Sequence, residues 1–200
     1  MKIALFGANG RVGKAVQSLA LERNHQVFAV DVDNCTTFDV ACDVAIDFSV
    51  AAATDTVISY CRRCLVPLVM GTTGQNQAQL TQIDELSRVV CVVKKANFSK
   101  GIALMTTLCN HVANTTNWDC AIVETHHVRK LDAPSGTAKE LANSLGCNQV
   151  ASMRVGNQFG THSVVFAGVD ECIEITHRAT SVDVFALGAI ETAEKIAQNK

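Results

Sequence analysis

Short, continuously apolar runs that alternate with helix-period segments constrain the first half of this 200-residue chain most strongly. These runs lack the polar–apolar alternation of a half-exposed strand, and they are typical of parallel strands that helices cover on both faces. Strand–helix–strand repetition of this kind predicts a Rossmann-like, doubly wound α/β domain with a parallel sheet. The five predicted strands are Ile3–Phe6, Val27–Val30, Val44–Phe48, Leu68–Met70 and Val89–Val93.

The pattern changes near Ser99, and the second half predicts an α+β domain built on a mixed sheet. A helix comes first, and a strand over residues 119–127 follows. The residues predicted on the buried face of the helix are Ile102, Met105, Leu108, Cys109 and Val112. After a further helix from Gly136, the chain is predicted to form three strands, the last two of which make a hairpin. The second sheet is therefore not of the Rossmann type.

Composition and charge argue against several classes of binding partner. With 48% hydrophobic and 18% charged residues, it can bury a core and is not a disordered chain. The net charge of −2, without a long basic run, gives nucleic-acid binding no electrostatic support. The apolar start ends at Gly7, too early for a signal peptide, and no apolar window is long enough to span a bilayer. We therefore expect a cytoplasmic protein with neither a nucleic-acid partner nor a membrane partner.

Nine cysteines, an odd number without a secretory signal, argue against a disulfide framework. Most of them lie among Ala, Val, Ile and Leu, which is typical of small buried side chains. Cys61 and Cys64 have the C-x-x-C spacing of a metal or redox site, but they lie on a predicted helix that Ser49 can cap. Because no second pair and no histidine is near, we predict that they pack in the core and that there is no metal site.

A glycine-rich turn, Gly7 to Gly13, follows the first predicted strand and opens the first helix. Glycines permit a tight turn and let backbone N–H groups approach a pyrophosphate, which the positive end of the helix also attracts. The spacing G-x-x-G-x-x-G is a variant of the dinucleotide-binding fingerprint, and its strand–turn–helix context supports cofactor binding. An ordinary tight turn would give the same pattern. The predicted cofactor residues of this loop are Gly7, Ala8, Asn9, Gly10, Arg11 and Val12.

Asp31 ends the second predicted strand, eighteen residues after Gly13. An acidic side chain at this position can accept hydrogen bonds from the ribose hydroxyls of the adenosine, and it repels a 2′-phosphate. No Arg or Lys is near, so we predict NADH as the preferred cofactor, with NADPH as the alternative. A solvated acid without a cofactor role would look the same in the sequence.

His126 and His127 end a predicted strand, and Lys130 follows four residues after His126. A histidine, or a lysine with a lowered pKa, can donate the proton that reduction of a polarised double bond needs. The next turn leads into a helix whose first residues, Gly136 and Thr137, can hold a carboxylate with N–H groups and a hydroxyl. This combination predicts a small acidic substrate, although structural histidines and a serine cap would show the same spacing.

At these residues the sequence resembles the dihydrodipicolinate reductases, also called 4-hydroxy-tetrahydrodipicolinate reductases, a family of bacterial lysine biosynthesis. The resemblance covers nearly the whole chain, and the stretch from His126 to Thr137 is its most specific motif. The matching motifs are Gly7–Gly13, Asp47–Ser49, Gly71–Gly74, Ala96–Gly101, Glu124–Ala138, Gly160–His162, Glu174–His177 and Phe185–Ala189.

The resemblance implies reduction of a small cyclic dicarboxylate with NAD(P)H. It implies that His126 is the proton donor or acceptor and that Lys130 is the second acid. It also implies that His127, Gly136 and Thr137 bind the substrate carboxylates. The residues that it places on the nicotinamide side are Gly71, Thr72, Thr73, Ala96, Asn97, Phe98 and Ser99.

The resemblance also implies an assembly and a domain plan. Family members are usually homotetramers that assemble through the sheet of the second domain, and their last helix returns to the nucleotide domain. We therefore expect a dinucleotide-binding domain of residues 1–98 plus 181–200, and a substrate-binding and oligomerisation domain of residues 99–180.

Two departures from the family pattern stand out. The chain is shorter than most members, mainly between Asp31 and Asp47 and after the helix at Gly136. This shortening affects the predicted adenosine contacts and the predicted cofactor preference. Val182 stands where the family has an arginine. This replacement affects the predicted packing or assembly of the chain.

Two other classes of protein remain to be weighed. A dehydrogenase that acts on a semialdehyde would need a different catalytic segment. A nucleotide-binding regulator without catalysis would lack His126 or Lys130, and both are present.

Overall fold

The computed structural model describes residues 1–30 and 38–198 of the chain. They form two compact units, one of Met1–Phe98 together with the last helix from Asp183, and one of Ser99–Val182. In chain order, the strands and α-helices of the described residues are β1 Lys2–Phe6, α1 Arg11–Glu22, β2 Gln26–Val30, β3 Val44–Asp47, α2 Thr54–Cys64, β4 Leu68–Met70, α3 Gln77–Ser87, β5 Val92–Lys94, α4 Lys100–Thr115, β6 Asp119–His126, α5 Gly136–Leu145, β7 Gln149–Arg154, β8 Thr161–Ala167, β9 Cys172–Arg178 and α6 Asp183–Ala197.

The first unit is built on a five-stranded sheet with the order β2-β1-β3-β4-β5, and every neighbouring pair is parallel. Ala4 and Phe6 of β1 belong to the core that α2 and α3 help to form, whereas Ile3 and Leu5 point to the opposite face and are also fully buried. Helices α1 and α6 pack on each other, and α6 packs on β3 and β4. Helices thus cover both faces, which confirms the Rossmann-like fold predicted from the apolar runs.

The second unit is built on a four-stranded mixed sheet with the order β7-β6-β8-β9. Strands β6 and β7 are parallel, whereas β8 is antiparallel to both of its neighbours. On the face where Ile122, Val164 and Phe166 are buried, the sheet packs on Met105 of α4 and Leu141 of α5. This architecture confirms the predicted α+β domain with a mixed sheet.

The prediction that Ser49 caps a helix is wrong. A short 3-10 turn over Ala51–Ala53 comes before α2, and Val50 stands at its start. Ser49 instead donates its backbone N–H and its hydroxyl to one carboxylate oxygen of Asp47. Asp47 is fully buried, so its carboxylate needs these donors more than a solvent-facing helix end does.

Two further predictions are wrong in part: the burial of Leu108 and the start of the fifth strand. Leu108 is 46% exposed, whereas the next residue, Cys109, is fully buried, because neighbours on a helix lie about 100° apart. The fifth strand begins at Val92 rather than Val89, since the N–H of Val89 bonds to the carbonyl of Leu86 at the end of α3.

The cysteines of α2 lie in the core of the first unit. Cys61 is fully buried there, and Cys64 packs against the same core, as predicted. Burial raises the pKa of the Cys61 thiol, so the thiolate that a metal or a redox reaction requires is disfavoured. Over the described residues, His, Cys, Asp and Glu side chains form no group of three or more that could hold a metal ion. Within the same residues, no helix combines the length and the apolar composition of a membrane span.

Candidate active site

The glycine-rich loop lies between β1 and α1, at the carboxyl edge of the parallel sheet. Gly7 has a φ of 76°, and a Cβ there would lie 2.5 Å from the carbonyl oxygen of Phe48. A Cβ on Gly13 would lie 2.1 Å from the carbonyl oxygen of Gly7, so a side chain at either position would displace the backbone. Gly10 is the N-cap residue of α1, and no side chain caps the helix there. A helix start of this kind suits a backbone N–H site for a phosphate.

The other predicted cofactor residues of the first unit follow β4 and β5. Because β1, β4 and β5 are parallel, their carboxyl ends share one edge of the sheet. A Cβ on Gly71 would lie 2.1 Å from the ring of Phe48, which meets the ring of Phe98 edge-on at 6.0 Å. The buried members of this set are Ala8, Thr72 and Phe98, the half-buried ones are Gly7, Val12, Gly71, Ala96 and Asn97, and the exposed ones are Asn9, Gly10, Arg11 and Thr73.

Two of the predicted cofactor residues are not among the described residues of the first unit. Asp31, on which the NADH preference depends, lies outside the described residues. Ser99 belongs to the second unit, where its hydroxyl accepts from the Ile102 N–H to cap α4 and lies 3.3 Å from Nε2 of His177. A contact of Ser99 with the cofactor therefore stays a prediction.

The helix-covered face of the second sheet ends in a polar cluster. Ile122, Glu124 and His126 alternate onto this face along β6. The register of the sheet sets His162 of β8 opposite Glu124, and it sets Arg154 of β7 opposite His126. Three strands therefore bring two imidazoles, a carboxylate and a guanidinium to the same end of the sheet.

Glu124 is fully buried and is held as a carboxylate. Arg154 donates from Nη1 to Oε2 at 3.0 Å and from Nη2 to Oε1 at 2.8 Å. The backbone N–H of Ser135 donates to Oε1 at 3.2 Å. Although burial alone would raise the pKa of this carboxyl, Arg154, Ser152 and His126 lower it to about 2.

Glu124 also orients the imidazole of His126. Nδ1 of the ring contacts Oε2 of Glu124, and because an ionised carboxylate only accepts, Nδ1 carries the proton. The neutral ring then presents the lone pair of Nε2, which lies beside the backbone of Gly160. Burial lowers the pKa of His126 below its usual value, Lys130 and Arg154 lower it further, and Glu124 opposes them. The free site thus holds a neutral imidazole at neutral pH.

A second buried imidazole, His162, lies against His126. The two rings meet edge-on with centroids 5.1 Å apart, and Nε2 of His162 lies 3.3 Å from Oγ of Ser135. Burial and the nearby His126 lower the pKa of His162 to about 4. His162 is therefore neutral at physiological pH and adds no charge to the site.

Lys130 lies in the turn after β6. Its Nζ forms an ion pair with Oδ1 of Asp132 at 2.8 Å, and its side chain is 23% exposed. Burial pushes the pKa of Asp132 upward, but the Lys130 ammonium brings it below its usual value. A substrate carboxylate that reaches Lys130 would compete with Asp132 for the same cation.

The start of α5 lies beside Glu124, the partner of His126, because Ser135 contacts both the carboxylate of Glu124 and the first turn of the helix. Its N–H binds Glu124, and its hydroxyl accepts the N–H of Ala138 to cap the helix. Gly136 and Thr137 form the first turn, and Thr137 is buried. His127 is also buried, and its N–H donates to the carbonyl of Gln158. The positive end of α5 can therefore meet an anion next to the imidazole.

The sequence patterns predicted no role in this cluster for Glu124, Arg154, His162 or Gly160. An acid two residues before His126 on the same strand face was the available signal for Glu124. Arg154 gave no local signal, since its contact with Glu124 depends on how β7 aligns with β6.

Comparison with known proteins assigns the family. A family model described as dihydrodipicolinate reductase, N-terminus, matches residues 1–98, and one described as dihydrodipicolinate reductase, C-terminus, matches residues 101–200. The chain belongs to the dihydrodipicolinate reductase family. A curated 4-hydroxy-tetrahydrodipicolinate reductase of Xanthomonas axonopodis pv. citri is 38% identical over 218 residues, covering 98% of this chain and 92% of the relative. The alignment is longer than the 200 residues of this chain, so the relative has residues without a counterpart here.

Solved structures agree with the fold. A dipicolinate-bound dihydrodipicolinate reductase from Paenisporosarcina sp. TG-14 matches with a TM-score of 0.78 and 20% identity, covering 99% of this chain and 95% of the other. An aspartate semialdehyde dehydrogenase II from Vibrio cholerae matches with a TM-score of 0.61 and 12% identity, covering 99% and 98%. The fold is thus shared between different dehydrogenases, and it is the family match that separates this reductase from the semialdehyde class.

Proposed function

We propose that this chain catalyses the NAD(P)H-dependent reduction of 4-hydroxy-tetrahydrodipicolinate to tetrahydrodipicolinate, a step of diaminopimelate and lysine biosynthesis. The observation that carries the proposal is the family match over both halves of the chain, together with an intact catalytic segment. In that segment a buried Glu124 orients His126, and Lys130 and the start of α5 lie on the same loop.

The proton for the reduction comes from the side chains of this segment. The bound nicotinamide cofactor supplies the hydride. His126 is neutral in the free protein, and two substrate carboxylates nearby would raise its pKa and favour uptake of a proton at Nε2. The substrate loses its 4-hydroxyl group as water, which creates the double bond that the hydride and the proton reduce. His126 donates that proton to the reacting ring, and Lys130 acts as the second acid.

The substrate carboxylates are held by groups that precede and begin α5. We assign carboxylate binding to His127, Gly136 and Thr137, supported by the positive end of the helix that Ser135 caps. Because Arg154 is committed to Glu124, we assign the cation that meets the substrate to Lys130.

The cofactor site is assigned to the carboxyl edge of the five-stranded sheet. The tight turn of the glycine-rich loop depends on Gly7 and Gly13, because a Cβ on either would clash with backbone atoms. We assign the pyrophosphate to the backbone N–H groups of this turn. We propose NADH as the preferred cofactor because of Asp31, and residues 1–98 with the last helix as the dinucleotide-binding domain.

The face of the second sheet opposite α4 and α5 is the proposed oligomerisation surface. Val123 and Val165 on this face are only half-buried, and Met153 is 50% exposed. Burying such side chains between copies would favour association, so we propose a homotetramer that assembles through this sheet. A cytoplasmic location accords with the free thiols of all described cysteines.

The proposed function is tested by coupled kinetics. The substrate is generated enzymatically, and the oxidation of NADH and of NADPH is followed in separate reactions. His126→Gln should lower kcat by on the order of 10²–10⁴-fold while cofactor binding survives, because general acid catalysis contributes that much. His111→Gln, at an exposed position of α4, is the matched control and should keep wild-type activity. No turnover with either cofactor would contradict the proposed function.

A further inference from the structure

Arg154 uses every N–H group of its guanidinium inside the protein. Nη1 donates to Oε2 of Glu124 and to the carbonyl of Met153, at 3.0 and 2.8 Å. Nη2 donates to Oε1 of Glu124 and to the carbonyl of Asp132, and Nε donates to the carbonyl of Lys130 at 3.3 Å. A guanidinium has five N–H donors, and here each has an acceptor. Arg154 therefore has no donor left for a substrate carboxylate.

Four of the five contacts fall into two groups with different consequences. The fork on Glu124 fixes the plane of the carboxylate, and that carboxylate accepts the Nδ1 proton of His126. The contacts with the carbonyls of Lys130 and Asp132 fix the backbone of the turn that carries the second proposed acid. One side chain on β7 thus holds both of the proposed proton donors.

We propose that Arg154 is a positioning residue of the reductase, which acts through Glu124 to aim Nε2 of His126 and through two carbonyls to place Lys130. The inference rests on the proposed function for the identity of the two acids. It does not make Arg154 a catalytic residue, because all five of its N–H groups bind protein acceptors rather than substrate.

The charge balance around His126 explains why an arginine is needed. Glu124 faces the ring from β6, Arg154 from β7, His162 from β8 and Lys130 from the turn. The other ionisable groups of the cluster lie next to these groups rather than next to the ring of His126. Asp132 pairs with Lys130, and His177 of β9 stands opposite His162 in the register. Arg154 neutralises Glu124, so the carboxylate can orient the imidazole without holding it permanently protonated.

A lysine could replace the charge of Arg154 but not its geometry. An ammonium has three donors and no planar fork, so it cannot reach two carboxylate oxygens and three carbonyls together. The pair of variants Arg154→Gln and Arg154→Lys therefore separates the loss of charge from the loss of shape. Arg178→Gln, at an exposed position at the end of β9 of the same sheet, is the matched control for removing an arginine charge.

The experiment measures the protonation of His126 and the kinetics of the full chain. Two-bond ¹H–¹⁵N spectra of protein labelled at its histidines report the tautomer and the titration midpoint, and the signals of His126 are those absent from His126→Gln. In Arg154→Gln, the midpoint should move upward by about one pH unit because the unpaired carboxylate now favours the imidazolium. In Arg154→Lys, the midpoint should stay near that of the wild type.

Kinetics give the second readout. In both variants kcat should fall by on the order of 10²-fold, with the KM for the cofactor unchanged, because the proton donors are misplaced. Arg178→Gln should match the wild type in both readouts. A folded Arg154→Gln with the wild-type midpoint would overturn the proposal, and so would wild-type kcat in Arg154→Lys. If Arg154→Gln does not fold, Arg154→Lys decides by its kcat alone.

Failure of the proposed function would look different. A wild-type chain that reduces no dicarboxylate with NADH or NADPH would remove the proposed reaction. The titration of His126 needs no substrate, so it would still show whether Arg154 acts on His126 through Glu124.

Discussion

Gly160 shows how a single residue without a side chain shapes the candidate active site. Its φ of 139° is a conformation that residues with a Cβ rarely adopt, and a Cβ there would lie 3.0 Å from Nε2 of His126. The same atom would lie 3.7 Å from Cε1 of His162. The space beside the proposed proton-donating nitrogen therefore exists because residue 160 is a glycine.

Gly160→Ala should reduce kcat by about 10- to 100-fold, since its methyl group would push the imidazole of His126 out of position. Gly156→Ala is the matched control, because Gly156 also has a positive φ but its Cβ would meet nothing within 4 Å. Steady-state kinetics and thermal unfolding of both variants check the expectation. Equal kcat values for the two variants would show that the space beside Nε2 does not matter.

At the scale of elements, helix α6 completes the first unit although it comes last in the chain. It packs on α1, β3 and β4, and Glu194 on α6 pairs with Arg23 at 2.8 Å and with His25 at 2.8 Å. Close packing is possible because Gly188 lets the helix approach the carbonyl of Phe98. A Cβ at Gly188 would lie 1.9 Å from that oxygen.

Gly188→Ala should lower the free energy of unfolding by about 1–3 kcal/mol, because the helix or the segment at Phe98 must move to admit the methyl group. Replacing a glycine inside a helix gains about 1 kcal/mol in helix propensity, and the expected loss is the net change after that gain. Lys195→Ala, at an exposed position of α6, is the control and should change stability little. Denaturant unfolding measures both, and a Gly188→Ala variant as stable as the control would refute the close contact.

For the whole molecule, buried groups with shifted pKa values make stability depend on pH. The pKa of His162 is lowered from 6.5 to about 4, and that of Glu124 from 4.5 to about 2. In both cases the unfolded chain binds a proton at a higher pH than the folded protein does. Acidification therefore favours the unfolded chain. Asp47 has the opposite sign, because burial raises its pKa.

Stability should fall as the pH drops from about 6.5 to 4 through His162, and again from about 4.5 to 2 through Glu124. Denaturant unfolding at a series of pH values measures the trend. His162→Gln should flatten the upper part of the curve, because the unfolded chain no longer gains that proton. A wild-type curve that is level between pH 6.5 and 4 would contradict the buried neutral state of His162.

Local patterns in the chain were enough for the parts of the fold that depend on near neighbours. The apolar runs predicted the doubly covered sheet, and Ser135 with Gly136 predicted the start of α5, because strand burial and helix capping are read over a few residues. The strand alignment of the second sheet was beyond such patterns. It alone brings Arg154 to Glu124 and His162 to His126, residues 30 and 36 positions apart. Contacts between distant positions depend on register, and register is settled only when the sheet and its helices pack together.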